Sequence, residues 1–112
     1  MIFALASTTL ALAAGPGFRN QHLLDDHFER YGRAFGPITE RQYLHLAQQL
    51  RDSHTGKYIL ESKRQAGGVS RFDVKRGYFG SYDADGTIRT FFIPPDGIHY
   101  FERHPDATGS RE

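Results

Sequence analysis

Cysteine and tryptophan are absent from this chain of 112 residues, and methionine occurs once. Without cysteine the chain has no disulfide, no thiolate metal ligand and no cysteine nucleophile. An excess of charge of either sign is also lacking, since the net charge at pH 7 is +1. Whole-molecule charge therefore gives no argument for nucleic-acid binding. The length suits a single domain, and nine Phe and six Tyr supply large side chains for its core.

Long apolar runs are scarce, and the longest is MIFALASTTLALAA at residues 1–14. It is too short to span a bilayer as a helix, so we expect no stable membrane span. Two interpretations stand: a signal-peptide apolar region with ALAA as its cleavage site, or a linker from a longer parent protein. Because a Gly-Pro-Gly break follows, we predict a signal-like or linker segment at 1–17, a domain at 18–104 and a flexible tail at 105–112.

Charge is distributed unevenly along the domain. Residues 51–80 carry more basic than acidic side chains, and residues 81–112 carry more acidic than basic ones. The middle of the chain can therefore present a basic face to an anion, although a sheet surface of mixed charge has the same composition.

Two helices are predicted in the first half of the domain. Asn20 is a suitable N-cap for QHLLDDHFERY, whose apolar residues recur at helical spacing, and Gly32 is placed to end that helix. Thr39 and Gln42 fit a capping box at the start of a second helix. An apolar stripe along that second helix consists of Tyr43, Leu46, Ala47 and Leu50.

After Gly56 the pattern changes to short runs of aromatic and β-branched residues separated by glycine-containing turns. These runs predict strands at about 57–64, 69–75, 78–83, 87–93 and 98–103, and the short links favour antiparallel hairpins. The fold class is therefore α+β, with two N-terminal helices packed on one antiparallel β-sheet of four to five strands. Thr90 shares a face with Ile88 and Phe92 on a strand that is apolar on both faces, which predicts a central strand.

Several fragments, taken in order, resemble a known family. They are HFERYG (27–32), RQYLHLAQQL (41–50), VSRFD (69–73), GYFGSYDADGTIRTFF (77–92) and HYF (99–101). Together they resemble the small C-terminal RNase toxins of bacterial polymorphic and contact-dependent growth inhibition systems, of the barnase–EndoU–colicin–RelE (BECR) group. The resemblance covers about residues 22–104. The chain departs from the family pattern at Tyr31, Tyr78 and Ile93, where the pattern has histidine, an acidic residue and lysine.

The resemblance implies a BECR-like fold and a metal-independent endoribonuclease that cleaves RNA, with tRNA as one candidate, during competition between bacteria. It also implies a cognate immunity protein, and secretion or delivery into the cytoplasm of a target cell. We expect a monomer without cofactor or metal. Cleavage of this kind uses the neighbouring 2′-OH as nucleophile. One group takes its proton, another protonates the leaving 5′-oxygen, and hydrogen-bond donors stabilise the phosphorane.

Histidine suits both proton transfers because imidazole titrates near neutral pH. On this basis His27 is predicted to act as base or acid, and His99 as the second proton-transfer group. Arg71 is predicted to contact the scissile phosphate and Thr90 to donate a hydrogen bond to it, while Tyr100 stacks or donates.

Further contacts to RNA are predicted for Lys75 and Arg89, which suit phosphate, and for Tyr78, which suits base stacking. The other histidines are predicted to be surface residues: His22, His45, His54 and His104.

Two alternatives remain at this point. The first is a non-catalytic exported binding module, or a degenerate toxin of the same fold, supported by the signal-like N-terminus and by the missing histidine and lysine. The second is a phage-associated nuclease with the same chemistry. The catalytic hypothesis requires His27, Arg71 and Thr90 to converge on one phosphate.

Overall fold

A computed structural model describes residues 15–104. Its fold is α+β, with helices that precede a four-stranded antiparallel sheet, as predicted. The elements in chain order are α1 (Gln21–Tyr31), a 3₁₀ turn (Gly32–Phe35), α2 (Glu40–Asp52), β1 (Ile59–Lys63), β2 (Val69–Asp73), β3 (Tyr78–Tyr82), β4 (Ile88–Phe92) and α3 (Ile98–Arg103). The predicted tail and most of the signal-like or linker segment lie outside the described residues.

The predicted helix boundaries are confirmed by their caps. The Leu23 N–H donates to Asn20 Oδ1 at 2.9 Å, which satisfies one free donor at the start of α1. Thr39 and Gln42 form both hydrogen bonds of the capping box at the start of α2. Gly32 follows α1 with an ordinary helical φ of −63°. Glycine is required there because a Cβ would overlap the Phe28 ring.

The sheet has the strand order β1-β2-β3-β4, so β4 is an edge strand and the prediction that it is central was wrong. Its apolar residues on both faces have another cause, because α1 and residue Phe18 pack along this edge. The register shifts within β3, so Tyr82 pairs with Ile88 while Ser81 pairs with Thr90. The shift turns Ile88 to the opposite face from Thr90, against the simple alternation predicted.

The fifth predicted strand, 98–103, is wrong, because this segment forms the short helix α3. Pro94 and Pro95 follow β4 and lack the N–H groups that a further ladder needs. Gly97 then takes a φ of +58°, which reverses the chain and starts the helix.

The two faces of the sheet are both covered. The first face is defined here as the face that packs against α1 and α2, and its core contains Tyr43, Ala47, Leu50, Tyr82 and Phe91. The second face is the opposite one, where Phe72, Phe79 and Phe92 pack against α3. None of the helices within residues 15–104 has the length and apolar character that a membrane span requires.

Two tyrosine hydroxyls tie the first face to α2. Tyr43 on α2 donates to the Phe91 carbonyl, and Tyr82 on β3 donates to the Ala47 carbonyl at 2.8 Å. Burial raises the pKa of both phenols above its ordinary value, so both stay protonated donors. The Tyr82 ring lies across Gly80, where a Cβ would overlap the phenol.

Candidate active site

A row of four hydroxyl side chains crosses the second face. Ser62 pairs with Ser70, Ser70 with Ser81, and Ser81 with Thr90, so each strand contributes one residue at the same level. Ser70, Ser81 and Thr90 are completely buried. We call this set the hydroxyl row. Its members are far apart in sequence, and only the strand register brings them together.

A row of aromatic rings runs beside the hydroxyl row. Phe72 pairs with Phe79, and Phe79 pairs with Phe92, each two residues from a member of the hydroxyl row and therefore on the same face. We call these three residues the phenylalanine row. The second face thus carries polar and aromatic groups in two parallel lines.

Helix α1 extends both rows past the edge of the sheet. Tyr31 stacks on Phe92 with ring centroids 5.1 Å apart, which continues the phenylalanine row. One turn earlier, His27 lies between Tyr31 and Phe18, with centroid distances of 5.8 and 4.9 Å. Phe18 forms a parallel bridge with Ile88 at the start of β4. Helix α1 and strand β4 therefore run side by side in the same direction.

From this side-by-side arrangement we infer that His27 lies near the level of Thr90, although the two side chains form no hydrogen bond with each other. Four helical residues advance about 6 Å, and two strand residues advance about 6.6 Å. Since Tyr31 stacks on Phe92, these two rises predict that the residue one turn earlier on α1 is near the level of the residue two positions earlier on β4. We call His27 and Thr90 together the edge site.

Both residues of the edge site are buried and keep a polar atom without a hydrogen-bond partner in the described part of the chain. His27 is 7% exposed, Thr90 is 0% exposed, and the two atoms are His27 Nε2 and Thr90 Oγ1. Buried polar groups normally find partners because an unmade hydrogen bond costs about 1–3 kcal/mol. Arg64 Nε is a third buried atom of this kind, and the two atoms of the edge site differ from it in lying within the fragments of the family resemblance.

The histidine is held in one orientation. Its Nδ1 lies 3.0 Å from the Leu23 carbonyl, which only accepts, so Nδ1 carries the proton and donates it. In the neutral ring Nε2 is then the acceptor. The hydrogen bond thus leaves the unpartnered nitrogen as a base.

Arg71 does not converge with the edge site. It lies on the first face, where it forms a double ion pair with Glu61 at 2.8 and 2.9 Å. The same guanidinium donates to the carbonyls of Leu50 and Ser53 at the end of α2. Arg71 therefore joins a helix end to β1 and β2, and it is not available to a phosphate on the second face.

The second predicted histidine also lies away from the edge site. His99 is on the outer side of α3, its side chain is 70% exposed, and it lies 3.5 Å from Glu102. Tyr100 does reach the second face, where its ring meets the edges of Phe79 and Phe92 at 5.0 and 5.3 Å.

His104 is the histidine that sequence reasoning missed. Its ring stacks on Tyr100 at 4.2 Å, and its Nδ1 lies 2.9 Å from the Tyr100 carbonyl. The signal in the sequence was the spacing of four residues between the two rings, which places them on one side of a helix. The strand predicted for 98–103 concealed it.

The predicted RNA-contact residues are scattered. Lys75 packs its ammonium 4.3 Å from the Tyr58 ring near the β2–β3 turn. Arg89 pairs with Asp83 at 3.1 Å beside the register shift in the β3–β4 pairing. Tyr78 faces the first core, where its ring meets Phe91 at 5.5 Å. Of these three, Arg89 lies nearest to the edge site along the chain.

A cavity among the described residues lies away from the edge site. This cavity has a volume of about 520 Å³ and opens between α1 and the start of α2, with Asp25, Glu29, Arg33 and Glu40 among its lining residues. The hydrogen bond that protonated Glu40 donates to the Asp25 carboxylate raises the pKa of Glu40. This acidic lining opposes a phosphate, so the cavity does not suit RNA. Within residues 15–104, no three His, Asp or Glu side chains are grouped to hold a metal ion.

No protein-family model matches the chain, and comparison with curated protein sequences gives no significant match.

Proposed function

We propose that residues 18–104 form a metal-independent endoribonuclease domain of the bacterial toxin type. The edge site carries this proposal, because it pairs a fixed imidazole base with a buried hydroxyl, and neither polar atom has a partner in the described chain. The ordered resemblance to BECR toxins supports it, since His27 and Thr90 both lie within the matching fragments.

In the proposed reaction, His27 Nε2 takes the proton of the ribose 2′-OH, which then attacks the adjacent phosphorus. The Leu23 carbonyl stabilises the imidazolium that forms, because it accepts from the opposite ring nitrogen. The Thr90 hydroxyl donates to a non-bridging phosphate oxygen as its charge grows. The products are a 2′,3′-cyclic phosphate and a free 5′-hydroxyl.

The leaving 5′-oxygen needs a proton from a second group. His104 lies nearer to the edge site than His99, because its ring stacks on Tyr100, which itself contacts Phe92. Its position depends on α3, so we assign the proton donor to water. His99 points to solvent on the far side of α3.

The toxin class adds a biological setting to the proposal. A domain that cleaves cellular RNA harms the cell that makes it, so a cognate immunity protein must accompany it. Its site of action is the cytoplasm of a target cell. The resemblance alone supports these parts, and the growth of cells that express the domain with and without neighbouring reading frames tests them.

The test of the activity is incubation of purified protein with total bacterial RNA in the presence of EDTA. Discrete fragments that end in a cyclic phosphate are expected from the native chain. His27→Ala should lower the cleavage rate about 100-fold or more, which is the usual contribution of a general base. His22→Ala is the matched control, since His22 is an exposed residue of the same helix.

Thr90 provides a second comparison. Thr90→Ser keeps the hydroxyl and should retain most of the cleavage, whereas Thr90→Val removes it and should not. Intact RNA in the presence of folded native protein would reject the nuclease and favour the non-catalytic binding module.

A further inference from the structure

Helix α3 is held on the second face mainly by the packing of Ile98, Tyr100 and Phe101, and its backbone ends add little. It has six residues, none of them buried, and its first turn has no side-chain cap. Isolated helices of this length are unstable in water. An ion pair joins Arg103 to Asp96, but both side chains are about half exposed, and such pairs contribute little.

The joint before α3 allows the helix to separate from the sheet as a unit. Pro94 and Pro95 end β4 without ladder N–H groups, and Gly97 has a left-handed φ of +58°. Removal of α3 would break no strand pairing among the described residues, because all four strands precede it.

The aromatic side chains of α3 lie where flat ligands would stack. Phe101 stacks on Phe72 with ring centroids 6.0 Å apart and planes 28° apart. Tyr100 contacts Phe79 and Phe92 through their edges. Sheet aromatics in a row next to hydrogen-bonding groups are a common platform for unpaired nucleobases.

From these observations we infer that α3 is a displaceable cover, and that single-stranded RNA replaces it on the second face. Nucleobases stack on the phenylalanine row in place of Tyr100 and Phe101. The ribose-phosphate chain follows the hydroxyl row toward the edge site. The identity of the ligand rests on the proposed function, but the displacement of α3 is a separate claim.

Displacement also explains how a substrate reaches the edge site. Ser70, Ser81 and Thr90 have no exposed surface in the structure. A phosphate therefore has no access to Thr90 Oγ1 while the second face is closed. The measured affinity for RNA then equals the affinity of the open form multiplied by the fraction of molecules that are open.

The test measures binding rather than cleavage, with the full chain carrying His27→Ala and with EDTA present. The probe is a short fluorescent single-stranded oligoribonucleotide, followed by anisotropy. Tyr100→Ala combined with Phe101→Ala should open the cover and raise the affinity about tenfold. His99→Ala combined with Glu102→Ala, two exposed changes on the same helix, is the matched control and should leave the affinity unchanged.

A second variant tests the stacking surface itself. In the opened protein, Phe72→Leu keeps an apolar core but removes a ring, and it should lower the affinity about fivefold or more. Circular dichroism confirms that the variant is folded.

The outcomes separate the two claims. Cleavage by the native chain with no gain in affinity on opening would overturn the cover and leave the nuclease standing. RNA binding that increases on opening, without any cleavage by the native chain, would support the cover and reject the nuclease. If the opened variant dimerises and does not bind RNA, the second face binds protein. This result also overturns the inference.

Discussion

The two faces of the sheet treat their polar groups in opposite ways. On the first face, the Tyr43 and Tyr82 hydroxyls and the Arg71 guanidinium all bond to backbone carbonyls. On the second face, the Thr90 hydroxyl is equally buried but has no partner in the described chain. The three bonded groups stabilise the first face, whereas the unpartnered Thr90 hydroxyl costs the second face stability.

The covers of the two faces differ in the same sense. Helix α2 packs on the first face through the completely buried Tyr43 and Ala47, and α1 adds the buried Leu24. Helix α3 contributes no buried residue to the second. The comparison therefore predicts that stability depends mainly on the first face and activity on the second, and four measurements test it.

The largest effect is expected from the first core. Phe91→Ala removes a completely buried ring that contacts Phe35, Tyr43 and Tyr78. The cost should be about 3–5 kcal/mol of unfolding free energy, measured by urea denaturation. Phe101→Ala, on the cover of the second face, should cost about 1 kcal/mol, because its ring is only partly buried. Equal costs would contradict the contrast between the faces.

Arg71→Met should be the next largest change. It removes the ion pair with Glu61 and the hydrogen bonds to the end of α2, at a cost of about 2 kcal/mol. RNA cleavage per folded molecule should not change, because Arg71 lies on the first face. If the Arg71→Met protein is fully folded but cleaves RNA much more slowly, Arg71 belongs to the active site and the edge site is incomplete.

A smaller contrast concerns the hydroxyl groups themselves. Tyr82→Phe removes a bonded hydroxyl from the first face and should cost about 1 kcal/mol. Thr90→Val removes an unpartnered hydroxyl from the second face and should be neutral or stabilising. The unfolding temperatures of the two variants and of the native chain test this contrast. A lower unfolding temperature for Thr90→Val would mean that Thr90 Oγ1 has a partner.

The smallest effect is expected from pH. The hydrogen bond from Arg103 holds the pKa of Asp96 below its ordinary value. The pair therefore helps to retain α3 at any pH above the ordinary Asp range, and this help is lost as the pH falls through the lowered pKa. Hydrogen exchange of the α3 amides should accelerate in that acid range, and Asp96→Asn should show the faster exchange at neutral pH as well. If neither acid nor Asp96→Asn changes the exchange rate of the α3 amides, the ion pair does not hold the helix.

Local signals in the sequence predicted much of the fold. Asn20 and Thr39 cap their helices through bonds to residues three positions away, so the sequence contains both partners. Four of the five predicted strands form, and their turns lie at the expected glycines. The segment 98–103 failed because six residues of mixed pattern fit a strand or a helix, and only contacts with Phe72 and Phe79 decide between them.

The candidate site was less accessible to sequence reasoning. His27 and Thr90 came from the family resemblance, and nothing local shows that their polar atoms lack partners. The hydroxyl row depends on the pairing of Ser70, Ser81 and Thr90, which the register fixes only after folding. Arg71 suggested a phosphate contact because its structural partners, at positions 50, 53 and 61, are distant in sequence.

The contact between Tyr82 and Gly80 constrains how this sequence can diverge. A side chain at position 80 would occupy the space of the Tyr82 phenol, and the hydroxyl would then lose the Ala47 carbonyl. In homologues that fold in the same way, the two positions should therefore change together: alanine or a larger residue at 80 should occur only where 82 has lost its long aromatic ring. Such a paired substitution would identify relatives of this domain even where the rest of the sequence has drifted.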